Sequence, residues 1–385
     1  MIVGIIGAGT MGAGIAQVCL VAGHDVLLHD VDEAAIDAGR QRIARGLERL
    51  VARDRLDVLT ARDALRDRLR DAHGLAAIAD EAELVIEAAI EDLELKRTLF
   101  RALGEAAPAE TILATNTSAL SVIDIASVTN RPERVLGLHF FNPAPVMALV
   151  EVITTPWTAA RALATATAFV GDLGKTHVVC RDSPGFIVNR VNRPYTLEAL
   201  RAVEAGRAAP EEVDRAMEAA GYPMGPFRLM DLVGIDVNLA VAQALYDAFD
   251  GAARFRPSPL QEAMVEAGTL GRKSGRGFYR YDADGKRLGP ALASVRDPED
   301  DFVRPIELAI INEAYHAAGE DVADPSDIDL ALRLGAGHPV GPFERAGHLG
   351  LRTVVDGLGE LSRSGSADAV ERFAIAPALW NLATL

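Results

Sequence analysis

A chain of 385 residues, 49% hydrophobic and 24% charged, is long enough for two or three domains with real cores and ordinary for soluble globular protein. Its 39 basic residues against 55 acidic ones leave a formal charge of −16, which opposes binding of nucleic acid and of anionic membrane surfaces by the molecule as a whole. Any phosphate-bearing ligand must be held locally, and with no apolar run near the ~20 residues of a membrane span and no signal-like opening, a cytoplasmic protein is expected.

The chain opens with IVGIIG, a β-branched apolar run that breaks on glycine, as a buried parallel strand does at its turn. GAGTMG follows and fits G-x-G-x-x-G. In that pattern Gly7 allows the tight turn, Gly9 lets backbone approach a pyrophosphate, and Gly12 lets the next helix pack on the strand. That helix, from about Met11 to Ala22, would aim its free N–H groups at phosphate, so Gly7, Gly9, Thr10, Met11 and Gly12 are the candidate cofactor loop. DVLLHD supplies a second strand, and Asp30 ends it where a ribose-binding acid belongs. An aspartate there accepts from a ribose 2′-hydroxyl and repels a 2′-phosphate, so NAD is expected rather than NADP; a solvated turn carboxylate is the plainer alternative.

From Glu33 to Asp71 the chain reads as helical, with many arginines interleaved with acids, mostly solvated faces with i,i+4 pairs. The parallel pattern resumes with ELVIEAAI, a helix from about Leu93 to Ala107, TILATNTSAL, a short helix near Val122 to Ala126, and VLGLHFF. This alternation indicates an α/β Rossmann-type doubly wound domain whose ligands lie beyond the strand C-terminal ends. Glu87, Asn116, Ser118 and His139 fall near those ends, and Asn116 is counted with the cofactor residues.

In HFFNPAPVMALVE a histidine opens an apolar stretch and a glutamate closes it. Either charge left dry and unpaired would cost several kcal/mol, on the order of one or more hydrogen bonds. Pro143 and Pro145 break the segment, so the chain can double back and set His139 against Glu151. A carboxylate on one ring nitrogen fixes the tautomer and makes the other a base. The alternative is a structural histidine bonded to a carbonyl and a separate exposed glutamate.

RDSPGFIVNR marks a boundary, after which helical periodicity dominates. The region from Glu198 to Phe227 aligns with that from Glu313 to Phe343, Pro210 matching Pro325 and Asp214 matching Asp329. Two tandem all-α domains are implied, giving residues 1–182 to the nucleotide domain with its helical insertion near 33–71, 183–282 to the first helical copy and 300–385 to a degenerate second. GRKSGRGFYRY and the polar segment near 282–300 join the copies, and the basic GRKSGRGF loop is expected to pack them together. It lacks phosphate-loop spacing. His316, His338 and His348 are too scattered to argue for a metal, and none is expected. Cys19 and Cys180 read as buried thiols.

Taken in order, GAGTMG, NTSALSV, HFFNPAPVMALVEVI, DSPGFIVNR and GRKSGRGFYRY resemble the signature of the 3-hydroxyacyl-CoA dehydrogenase family over nearly the whole chain. The resemblance implies NAD-dependent oxidation of a short (S)-3-hydroxyacyl-CoA such as 3-hydroxybutyryl-CoA, with His139 as general base, Glu151 as its partner, and Ser118 and Asn189 touching substrate near the reacting hydroxyl. It also matches Glu91 and Lys96 to positions at the edge of the nicotinamide site; as isolated features they would read as a surface pair. Ala148 stands where family members often carry lysine. The first helical copy keeps the family pattern MGPFRLMDLVGID, so it is expected to line the active site, while VGPFERAGHLGLR in the second has lost the matching aspartate. Family members with one such domain dimerise through it, so either a homodimer or an intramolecular pseudo-dimer is implied. Rival readings are a dehydrogenase of a non-CoA 3-hydroxy acid or carnitine-like alcohol on the same architecture, and a non-catalytic NAD-binding sensor.

Overall fold

Apolar β-branched runs alternate with helices through the first half of the chain, and in the computed structural model, which describes residues 1–290, 302–363 and 368–384, those runs are the strands of one sheet. In chain order they are β1 (Ile2–Ile6), α1 (Thr10–Val21), β2 (Asp25–His29), α2 (Glu33–Val51), α3 (Val58–Asp63), β3 (Leu69–Asp71), α4 (Leu75–Glu81) and β4 (Leu84–Glu87). Then come α5 (Leu93–Ala106), β5 (Ile112–Thr115), α6 (Val122–Ala126), β6 (Val135–Phe140), β7 (Leu149–Thr154), α7 (Ala160–Asp172) and β8 (Thr176–Arg181).

The sheet order is β3-β2-β1-β4-β5-β6-β7-β8. Strands β1 to β6 are parallel, β7 runs antiparallel to β6, and β8 follows β7. The chain leaves β1 toward one edge and returns through β4 toward the other, so the loops after β1 and β4 diverge and open a crevice at the strand C-terminal ends. Residues such as Ile5, Leu28, Ile86, Ala114 and Leu138 are buried, because helices cover both faces of a parallel sheet. Cys19 and Cys180 are free and buried, and burial pushes the Cys19 thiol up to about 12.

One expectation is corrected here. Residues 33–71 are not helical throughout: after α3 a π-helical turn, Ala64–Arg68, leads into β3, which extends the sheet by pairing Val26 with Leu69 and Leu28 with Asp71. In this three-residue edge strand only Leu69 is buried, too little alternation to be seen locally, and the partner that makes it a strand lies far back in the chain.

The chain divides into two compact units, Met1–Phe186 and Ile187–Leu385. In the second lie α8 (Val188–Val191), α9 (Arg193–Glu204), α10 (Pro210–Ala219), α11 (Pro226–Val233), α12 (Ile235–Ala248), α13 (Pro259–Glu266) and a hairpin of β9 (Tyr279–Tyr281) and β10 (Arg287–Pro290). After the joining segment, whose part from 291 to 301 lies outside the described residues, follow α14 (Val303–Gly319), α15 (Pro325–Gly335), α16 (Pro342–Leu349), α17 (Leu351–Ser362), α18 (Ala369–Arg372) and α19 (Pro377–Ala383). Both helical copies therefore belong to one unit. Among the described residues no single helix is long and apolar enough to cross a membrane.

The repeat keeps its helix-capping chemistry. Asp214 accepts from the backbone N–H groups of Phe227 and Arg228 at 2.9 and 3.1 Å, and Asp329 accepts from those of Phe343 and Glu344 at 2.7 and 3.0 Å. Each aspartate caps the N-terminus of a helix that begins with proline. The preceding glycine is required in both copies, because a Cβ on Gly225 would lie 2.3 Å from Asp214 and one on Gly341 2.2 Å from Asp329. Helix α9 packs on α14, its own counterpart. Two ion pairs cross between the copies in reciprocal fashion, Arg254 to Glu313 at 2.8 Å and Arg372 to Glu198 at 3.3 Å, from equivalent positions in A-R-F and E-R-F. That is how two copies of one fold meet about a two-fold axis.

A second correction concerns GRKSGRGF. The loop is tied to the first copy: the N–H groups of Phe278 and Tyr279 donate to Asp231 at 2.9 Å each, the Tyr279 hydroxyl donates to Asp214 at 2.6 Å, and Lys273 pairs with Asp236. Asp231 is the aspartate that the second copy replaces with Gly347. It anchors this loop, so its loss in the second copy follows from local packing and is no mark of an active site.

Asp214 also makes stability depend on pH. Burial raises its carboxyl from 3.8 to about 6, against the lowering effect of the donors from Tyr279, Phe227 and Arg228. The native state therefore holds a proton that the unfolded chain releases, and this contribution is complete below about pH 3.8 and lost as pH rises through about 6. Urea titrations between those values should show a falling unfolding free energy in the wild type and a flatter profile in Asp214→Asn.

Candidate active site

The glycine loop is shaped by close approaches. Gly7 sits at φ +99°, where a Cβ would meet the Ala88 carbonyl at 2.6 Å, and a Cβ on Gly12 would lie 1.7 Å from the Gly7 carbonyl oxygen. A Cβ on Gly9 would meet no protein atom within 4 Å. Glycine there leaves open space against the backbone, and as N-cap of α1 it brings no side chain to the first amides, those of Thr10 and Met11 among them. At the end of β2, Asp30 accepts from the N–H of Ala8 at 2.7 Å and from that of Val31 at 2.7 Å. Each carboxylate oxygen keeps a lone pair for a hydroxyl, so the loop and the acid together fit a dinucleotide with a free 2′-hydroxyl.

Three sheet positions from β1, the antiparallel β6–β7 pair sets His139 directly opposite Glu151. Glu151 is fully buried and its Oε2 lies 2.6 Å from His139 Nδ1. An ionised carboxylate in this place accepts from Nδ1–H, which fixes the neutral ring with Nε2 as its basic nitrogen. The rings of Phe141 and Phe186 flank the imidazole, with centroids at 4.5 and 5.9 Å. The end of β6 is held by Asn116, whose Oδ1 accepts from the Phe140 N–H at 2.8 Å. Asn116 thus fastens the strand that carries His139.

Beneath the loops after β4 and β5 lies a buried charge network. Lys96, on α5 and 1% exposed, donates to both oxygens of the fully buried Glu87 at 2.7 and 2.9 Å, and Thr115 donates to Glu87 at 2.7 Å. Lys96 also lies 3.4 Å from Glu91 Oε2. Glu91 in turn accepts at Oε1 from the Thr117 hydroxyl at 2.6 Å and from the N–H groups of Ser118 and Ala119 at 2.9 and 3.2 Å. Burial opposes the Glu91 charge, but Thr117, Lys96 and the Ser118 amide together hold its carboxyl below the usual range. A surface pair is therefore not what Glu91 and Lys96 form. Lys96 is consumed inside the unit by Glu87, and Glu91 pins the turn that presents Ser118. The helix α6 beyond that turn is capped by Ser121, which with Ile123 N–H donates to Asp182.

The sequence reading gave no role to Glu87, Thr117 or Lys175. Lys175 donates to the carbonyls of Ala144 and Met147 at 2.7 and 2.6 Å, so it brings an ammonium to the turn just before Ala148. Its own signal was a lysine closing the α7–β8 turn, which in sequence is an ordinary surface feature. Several arginines of the 33–71 segment are committed locally, Arg40 to Asp71, Arg66 to Asp63 and Asp67, and Arg70 to Glu81. Asn189 belongs to the other unit, on α8.

The contrast between the glycines yields a test. In Gly9→Ala the added methyl meets no protein atom and the residue already has φ −66°, so thermal stability should be unchanged. NADH affinity, followed by fluorescence titration, should nevertheless fall by at least about tenfold, or about 1.4 kcal/mol.

Comparison with known proteins identifies the family. Residues 2–183 match the family model described as 3-hydroxyacyl-CoA dehydrogenase, NAD binding domain, which assigns NAD as cofactor, and residues 185–281 and 302–384 match the one described as 3-hydroxyacyl-CoA dehydrogenase, C-terminal domain. A 3-hydroxyadipyl-CoA dehydrogenase of Escherichia coli is 48% identical over 73% of this chain, and the match spans 59% of that protein's length. A 3-hydroxybutyryl-CoA dehydrogenase of Mycobacterium tuberculosis is 44% identical over 72% of this chain and 98% of its own. The crystal structure of an E. coli 3-hydroxybutyryl-CoA dehydrogenase superposes with a TM-score of 0.91 at 36% identity, covering 100% of this chain and 98% of that one. The chain is an NAD-dependent oxidoreductase that belongs to the 3-hydroxyacyl-CoA dehydrogenase family.

Proposed function

We propose that this chain interconverts (S)-3-hydroxyacyl-CoA and 3-oxoacyl-CoA with NAD, acting on short acyl chains such as 3-hydroxybutyryl-CoA. The observation that carries the reading is the His139–Glu151 dyad at the sheet end that also bears the glycine loop. The names of the relatives point to thioester substrates and do not favour a free hydroxy acid. A sensor would have no need of a buried histidine whose tautomer is set by a carboxylate.

Bound nicotinamide supplies the acceptor for the C3 hydride. His139 Nε2 takes the proton of the C3 hydroxyl as the C–H bond breaks and the carbonyl forms. Glu151 keeps Nδ1 protonated and stabilises the imidazolium that results. Ser118, fixed by Glu91, and Asn189, on α8, are the residues that hydrogen-bond the substrate. Glu91 and Lys96 border the nicotinamide region, Glu91 through the turn it pins and Lys96 through its pairing with Glu87.

The two helical copies together take the place of a dimer interface, so the chain acts as an intramolecular pseudo-dimer. The reciprocal Arg254–Glu313 and Arg372–Glu198 pairs support this.

Reduction of acetoacetyl-CoA by NADH, with free acetoacetate and NADPH in parallel, tests the activity. Turnover is expected with the thioester and NADH alone; turnover of the free acid would move the substrate class to non-CoA hydroxy acids. His139→Ala should lose ~10² to 10⁴ in kcat while retaining NADH affinity. A variant that keeps most of its turnover would remove His139 from the mechanism. Light scattering on the eluted protein should give the mass of one chain, and twice that mass would restore a homodimer.

A further inference from the structure

Helix α8 is a single turn, Val188–Val191, and carries Asn189. A helix this short has no cooperative stability of its own, so its place is set by what grips it. Arg190, wholly buried, donates from Nε to Glu313 Oε1 at 2.7 Å and from Nη1 to Glu320 Oε2 at 2.8 Å. Just beyond the helix, Asn192 Oδ1 lies 2.8 Å from His338 Nε2. Glu313, Glu320 and His338 all belong to the second helical copy, so the residues on the C-terminal side of Asn189 are fastened to it.

These contacts are not the generic cement of a duplicated interface. The Arg254–Glu313 and Arg372–Glu198 pairs occur twice, once on each side of the pseudo-two-fold axis. The Arg190–Glu320 pair does not. In the alignment that matches Glu198 with Glu313, Arg190 falls on Pro305 and Glu320 falls on Ala205. The first copy has kept the arginine and the second the carboxylate, each only where it serves the helix that bears Asn189.

We propose that the second helical copy is a positioning element for the reaction: by holding Arg190 through Glu313 and Glu320 it sets the place of Asn189 within the helical unit. The proposal rests on the reading of Asn189 as a substrate contact. Arg190, Glu313 and Glu320 act through Asn189 and are positioning residues. A fixed guanidinium on the adjacent residue constrains both the rotation and the translation of a one-turn helix, and a displacement of about 1 Å can cost roughly 10² in rate.

The test uses the full chain. Glu320 is 46% exposed at its side chain, so Glu320→Gln removes the charge without opening a cavity. Arg345→Met breaks a comparable pair of the second copy, Arg345 to Glu307 at 2.8 Å, neither member of which is an ion-pair partner of Arg190. Glu320→Gln should lower kcat for acetoacetyl-CoA reduction by roughly tenfold with NADH affinity unchanged. Glu320→Asp, which keeps a carboxylate, should recover part of the loss, and Arg345→Met should keep wild-type kcat. Full turnover in Glu320→Gln, or an equal loss in Arg345→Met, overturns the proposal while an active wild type leaves the functional reading standing. An inert wild type overturns that reading and this proposal with it.

Discussion

The antiparallel turn from β6 to β7 is the constraint on which the site depends. Every strand up to β6 is parallel, and reversal at this one place lets a histidine and a glutamate twelve residues apart face each other across a ladder. Side chains alternate with period two, so a slip of one residue would send the glutamate to the opposite face of the sheet and leave a buried histidine unpaired. The register is held by the apolar neighbours Leu138, Val150 and Val152, all fully buried, and by Asn116, which takes the last N–H of β6. A carboxylate as deeply buried as Glu151 is tolerable because the imidazole answers it.

Around this pair the chain spends further buried charge on holding loops still. Glu87 and Lys96 compensate each other inside the sheet's end, and Lys96 extends toward Glu91, which collects the hydroxyl of Thr117 and two successive amides. Removing one member would strand its partner, at a cost of about 3–5 kcal/mol for a buried pair. The gain is a fixed turn: the amides after Thr117 cannot drift while one carboxylate oxygen binds them. Asn116 and Ser118 sit on either side of that residue, so one network steadies both β6 and the Ser118 turn.

In the helical unit the duplicated aspartate caps show that two copies of a fold can keep backbone chemistry while diverging elsewhere. Asp214 and Asp329 serve the same helix N-terminus in each copy, because a proline-initiated helix has amides to satisfy wherever it occurs. Asp231 survives only where a β9 loop needs its oxygens. The unpaired asymmetry at Arg190 has the same logic, a charge pair retained on the side where it has a helix to hold.

What the sequence by itself determined was everything set by local pattern. The glycine loop, the parallel strands and the internal repeat with its matched aspartates are legible, because each follows from spacing, alternation or turn chemistry within a short window; two prolines allowed His139 to face Glu151, and the family resemblance, not the spacing, chose that pairing over a lone structural histidine. Tertiary structure alone decided the rest. Strand β3 exists only because β2 lies beside it. Lys96, which on its helix looks like any surface lysine, is buried because the end of β4 places Glu87 against it. The loop at Gly271 to Tyr281 packs on one copy because Asp231 waits there. Arg190 meets Glu313 across 123 residues of chain only because α8 and α9 pack against α14. Burial and long-range electrostatics depend on which elements become neighbours, and no local pattern in the sequence carries that information.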